Sequence, residues 1–201
     1  MKKFISVIFS FIALAGCKMF PVTVSDDPFR GVTVVTADMW HSVVDRRIDN
    51  VRVLYSKTIS NGSLSDPTVR FEFVANNDPY YNDYHGEKLG PEAYILADNK
   101  SFTVKLIDSS LIPRKIPIVS SYGFGFFHPF YREIIIGTSE QYTILAKIQL
   151  TPEISQAILG AGRYMIRFYT GDTPLTLQAT QRQLDSVKTF LLKGAPAPDV
   201  K

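Results

Sequence analysis

The chain has 201 residues, of which 45% are hydrophobic and 20% charged, with a formal charge of +3 and one cysteine. This is the composition of an ordinary folded domain. A single cysteine excludes an intramolecular disulfide framework, and the near-neutral charge argues against nucleic acid as a partner, which needs a basic stripe.

The N-terminus reads Met1-Lys2-Lys3, then an apolar run from Phe4 to Leu14, then Ala15-Gly16-Cys17. Two lysines before a short apolar run are the n- and h-regions of a secretory signal. The run falls well below the about 20 apolar residues that a membrane-spanning helix needs. Leu14-Ala15-Gly16-Cys17 resembles the lipobox of bacterial lipoprotein precursors, and the resemblance covers only the first 17 residues or so. It implies cleavage before Cys17, a diacylglycerol on its thiol and a further acyl chain, such as palmitate, on the new amine. Several chains anchor stably, because each buried methylene contributes about 0.8 kcal/mol and one chain alone is marginal. In such lipoproteins an Asp after the cysteine favours the inner membrane, so Lys18 implies the outer membrane, with the domain on the periplasmic face. The alternative is an ordinary secretory peptide in which Cys17 is incidental.

Removal of residues 1–16 takes Lys2 and Lys3 away and brings the formal charge from +3 to +1. Residues 17–31 then read as the lipidated cysteine and a short tether, carrying Pro21, Asp26, Asp27, Pro28 and Gly31. Fully stretched, the Met19–Gly31 part of this tether reaches about 40 Å. Residues 32–194 are expected to form one domain, and 195–201 a loose tail.

From residue 32 the pattern is mostly of period two. Runs at 32–37, 51–59, 68–75, 101–107, 131–137, 141–150 and 163–171 are rich in β-branched and aromatic residues, as strands are. In 68–75, Val69, Phe71 and Phe73 fall on one face and Arg70 and Glu72 on the other, the alternation of a half-buried antiparallel strand. Asn61-Gly62 and Asp98-Asn99 suit turns. A short helix is predicted near 152–159, with Thr151 as cap, Pro152 in the first position and Gly160 as stop. A C-terminal helix is predicted near 181–193, where Thr180 and Gln183 have capping-box spacing and Leu184, Val187 and Leu191 line one face. The fold class is therefore mostly β, an antiparallel β-sandwich of immunoglobulin or transthyretin type with two helices.

No motif carries recognisable chemistry. His41, His85 and His128 stand far apart, without metal-ligand spacing. There is no G-x-S-x-G elbow. We expect no catalytic residues, no metal and no cofactor.

Two aromatic stretches stand out. Residues 76–92 form a long, turn-rich connection in which Tyr80, Tyr81, Tyr84 and His85 could make a face for sugars, peptides or a partner protein. Asp78, Asp83 and Glu87 could hold calcium, but not with EF-hand spacing. The plainer reading packs the tyrosines back onto the sandwich. In 122–131, Tyr122, Phe124 and Phe126 share one face at strand spacing, Phe127 follows, and Gly123 and Gly125 leave the other face bare. Core filling accounts for this run, and so does an exposed aromatic patch. Trp40, with no constellation around it, is expected in the core.

The sequence thus leads to an outer-membrane lipoprotein that binds an envelope protein or cell-wall component in a structural or assembly role. The alternatives are an envelope hydrolase or sugar-processing enzyme, and a surface-displayed adhesin or exclusion factor.

Overall fold

The structure, a computed structural model, describes residues 21–43, 48–75, 87–122 and 132–194. Among the described residues, two antiparallel sheets and two helices form a β-sandwich-like arrangement. The larger sheet runs β1 (Val22–Asp27), β2 (Val32–His41), β3 (Ile48–Ser60), β5 (Thr68–Ala75), β9 (Arg132–Gln149), β8 (Asp108–Tyr122), with β4 (Ser63–Leu64) also against β3. The smaller runs β11 (Thr173–Gln178), β10 (Tyr164–Thr170), β6 (Glu92–Ala97), β7 (Lys100–Lys105).

Period-two alternation sets the core. On β5, Val69, Phe71, Phe73 and Ala75 are buried while Arg70 is exposed. Phe168 of β10 meets Phe71 and Phe73 edge-on, with ring centroids 4.8 Å and 5.3 Å apart, the geometry that ring quadrupoles favour. Ala93, Ile95 and Ala97 of β6 and Leu175 and Leu177 of β11 complete the buried face of the smaller sheet. The turns form where expected. Asn61 and Gly62 both take positive φ between β3 and β4, and Asp98 does so between β6 and β7.

Both helices lie where their caps place them. In α1 (Pro152–Gly160) the Thr151 side chain accepts from the Ile154 N–H. In α2 (Gln181–Leu192) Thr180 and Gln183 close a full capping box. Leu184, Val187, Phe190 and Leu191 turn one face of α2 inward. Gly194, at φ +71°, ends the segment where a Cβ would clash with Ile59 Cδ1.

Three expectations are corrected. Residues 22–27, read as part of the tether, form β1, which pairs along its whole length with β2. The runs 131–137 and 141–150 belong to one strand, β9. Trp40 is not in the core. β2 turns Val35, Ala37, Met39 and His41 inward, so Trp40, one residue out of phase, stands on the outer face and is 53% exposed.

Candidate functional site

One end of the larger sheet gathers the features of interest. Across it lie the pairs His41–Val51, Ile48–Ala75 and Val74–Thr143. β5 stops at Ala75, whose carbonyl accepts from Gln141 Nε2 at 2.9 Å. β8 and β9 do not stop there. They continue as a two-stranded arm from Pro113–Tyr142 to Tyr122–Arg132, ten residues of β8 against eleven of β9 and so about 30 Å long. No described side chain between 112 and 117 or between 135 and 142 is buried. Ile135 and Ile136 are 66% and 61% exposed.

Beside this end, the last residues of β2 and the first turn of α2 enclose a cleft of about 540 Å³, lined in part by Trp40, Ser42, Gln178, Thr180, Gln181 and Arg182. Its frame is held by Gln183. The Gln183 Oε1 accepts from the Thr180 N–H at 2.7 Å, and its Nε2 donates to the Trp40 carbonyl at 2.8 Å. On the sheet side, the Arg52 guanidinium lies 6.0 Å from the Trp40 ring centroid. Arg52 is itself forked onto Asp38, with Nε 3.0 Å and 3.1 Å from the two carboxylate oxygens. Backbone and ring of Trp40 are thus fixed from two directions.

His41 lies on the opposite side of the strand. Its ring is buried, and neither nitrogen has a hydrogen-bond partner among the described residues. It borders a small internal void with Tyr55 and Tyr164, whose hydroxyls are 3.4 Å apart. Burial lowers the His41 pKa to about 4, only partly opposed by the nearby Gln178 backbone, so the ring is neutral at pH 7. Burial also raises both tyrosines, which stay protonated. A triad needs its histidine held by a carboxylate and facing a hydroxyl in an open cleft; His41 is held by neither. Among the described residues, no group of three or more His, Cys, Asp or Glu is placed to hold a metal ion.

Of the residues singled out in the sequence, Cys17, Tyr80, Tyr81, Tyr84, His85, Phe124, Phe126 and Phe127 lie outside the described residues, as does His128. Tyr122 is the last residue of β8, opposite Arg132. Residues 76–86 follow Ala75, and residues 123–131 join the far ends of the arm that leaves the sheet beside Ala75. The Trp40 cleft escaped the sequence reading, although the period-two pattern of β2 put Trp40 out of phase with Val35, Ala37 and Met39.

No family model, no curated protein and no solved structure matches the chain. Among the described residues, no helix is long and apolar enough to cross a membrane.

Proposed function

We infer that this is a bacterial outer-membrane lipoprotein, acylated at Cys17 and facing the periplasm, whose β domain binds an envelope protein or cell-wall component in a structural or assembly role rather than a catalytic one. The address rests on Lys2-Lys3, the apolar run and Leu14-Ala15-Gly16-Cys17. The observation that carries the binding role is the β8–β9 arm. An isolated two-stranded ribbon is marginal in water, and this one runs past the sheet with Ile135 and Ile136 exposed. Such a ribbon gains stability by packing against something else, and an exposed apolar surface on a projecting element favours a partner.

Two measurements test the reading. A clickable fatty-acid analogue is expected to label the wild type and not Cys17→Ala; label retained by the variant removes the anchor. A photo-crosslinker placed at Thr138, an exposed arm position, is expected to capture one envelope component reproducibly in native membranes. Capture that is indifferent to the crosslinker's place on the domain removes the binding role of the arm.

A further inference from the structure

We propose that the cleft between the end of β2 and the first turn of α2 binds a saccharide that carries an acidic group, with a pyranose face on Trp40 and the acid on Arg182. The choice of a glycan deepens the envelope reading above and rests on it.

The lining selects the ligand. Trp40 is 53% exposed, whereas Phe71, Phe73, Phe168 and Phe190 are fully buried. An indole left half in water offers a flat apolar face, and the C–H face of a pyranose is its natural complement. Around it stand Ser42, Gln178, Thr180 and Gln181. Hydroxyls and amides both donate and accept, as sugar hydroxyls do. Among the described residues no aliphatic side chain lines the cleft, so they offer an apolar peptide side chain no pocket of its own. The cleft volume of about 540 Å³ lies within the range of small-molecule sites.

Charge narrows the class further. Arg182 is, among the described residues, the only charged one in the lining. Among the described residues it makes no ion pair, while Asp185, on the next turn, accepts from Gln181 Nε2 at 2.9 Å. A guanidinium without an ion pair, in a cleft whose described lining holds no carboxylate, favours an anionic substituent. The site is also preorganised. Gln183 clamps the Trp40 backbone, and Arg52, held by Asp38, supports its ring. Little ordering remains to oppose binding.

Trp40 is the only tryptophan in the chain, so intrinsic fluorescence reports on this cleft directly. The full chain is titrated with N-acetylglucosaminyl-N-acetylmuramic acid and with chitobiose, two disaccharides that share the pyranose scaffold and differ in the lactyl carboxylate. The expected result is a saturable emission change with both, about tenfold tighter for the acidic sugar. Arg182→Ala is expected to abolish that preference, so that the two sugars bind with equal affinity. Trp40→Ala, followed by calorimetry, is expected to lose both sugars while keeping the wild-type circular dichroism. The proposal is overturned by no saturable change up to about 10 mM of either sugar, by equal affinity for both in the wild type, or by binding undiminished in Trp40→Ala. Fatty-acid labelling separates this from the address. A labelled protein that ignores both sugars overturns the ligand alone, and an unlabelled one that binds them overturns the membrane address alone.

Discussion

Lys57 Nζ donates to the main-chain carbonyl of Leu191 at 2.8 Å, a bond from the inner face of β3 to the last turn of α2. Lys57 is buried, and its ammonium stands 5.1 Å from the Phe190 ring centroid. A cation at a helix C-terminus meets unpaired carbonyls and the negative end of the helix dipole. Gln183 fastens the other end of α2 to the Trp40 carbonyl. Two polar side chains, one at each end, thus set the position of a helix whose apolar face supplies the remaining contact energy.

Lys57 should make stability depend on pH in the alkaline range. Burial lowers its pKa from 10.5 to about 8. Between these values the unfolded chain holds the proton and the folded chain does not, so stability rises with pH across that window. Below about pH 8 the lysine contributes no slope. Chemical denaturation from pH 7.5 to 10.5 should show a wild-type rise, on the order of 1–3 kcal/mol, that is missing in Lys57→Met. Lys57→Ala, which leaves a cavity and strips the Leu191 carbonyl of its donor, should cost about 2–4 kcal/mol at pH 7. Parallel pH profiles in wild type and Lys57→Met would contradict this account.

His41 acts in the acid range. Its folded pKa of about 4 lies below the ordinary 6.5 because burial penalises the charged ring. Between those values the unfolded state binds the extra proton, so stability is lost as pH falls from 6.5 toward 4. Replacement by an apolar residue, His41→Leu, should flatten this part of the profile while leaving the alkaline part unchanged. Unfolding curves at pH 7.0, 5.5 and 4.5 provide the check; an equal acid loss in both proteins would assign the effect to other groups.

The helices were legible because their signals are local. Thr151-Pro152-Glu153 and the Thr180–Gln183 spacing write their caps into consecutive residues, and both caps form. β5 was legible for the same reason, since its alternation is complete within eight residues. β8 was missed because Pro113 and Pro117 argue against a strand. They are tolerated because β8 is the outermost strand of its sheet, where a missing donor costs no ladder bond. β6 hid behind Ala93 and Ala97, small residues that bury well but signal weakly. The Trp40 cleft was harder still, as it forms only when Gln183 meets Trp40 across 143 positions of sequence. Hydrophobicity placed Trp40 inside; the strand phase, set by Val35, Ala37 and Met39, placed it outside.

Gln183→Ala should reach both the helix and the cleft. The side chain satisfies the Thr180 N–H and the Trp40 carbonyl at once, and loss of a capping interaction costs about 1 kcal/mol, with a comparable term for the second buried bond. We expect about 1–3 kcal/mol of destabilisation by thermal or chemical unfolding. The lone tryptophan should also report a looser environment as lower fluorescence anisotropy at temperatures where the protein remains folded. Thr180→Ala should show the stability loss with little change in anisotropy, because it leaves the bond to Trp40 in place.

The arm should be dispensable for folding. Residues 116–139 can be replaced by Asn-Gly between Lys115 and Glu140, which already face each other in the ladder, and Asn-Gly favours a two-residue hairpin turn. Gln141 is kept, so the bond that seals the end of β5 at Ala75 survives. Since the arm's described side chains are unburied, the shortened protein should unfold within about 1 kcal/mol of wild type. Phe168→Ala, by contrast, removes the ring that meets both Phe71 and Phe73 and should cost about 3–5 kcal/mol. Capture of the partner by a soluble bifunctional crosslinker, which needs no probe at the deleted Thr138, should follow the opposite order, lost in the shortened protein and retained in whatever folded fraction of Phe168→Ala remains. A shortened arm that unfolds the domain would mean that the arm is structural, and the surface that meets a partner would then have to lie elsewhere on the sandwich.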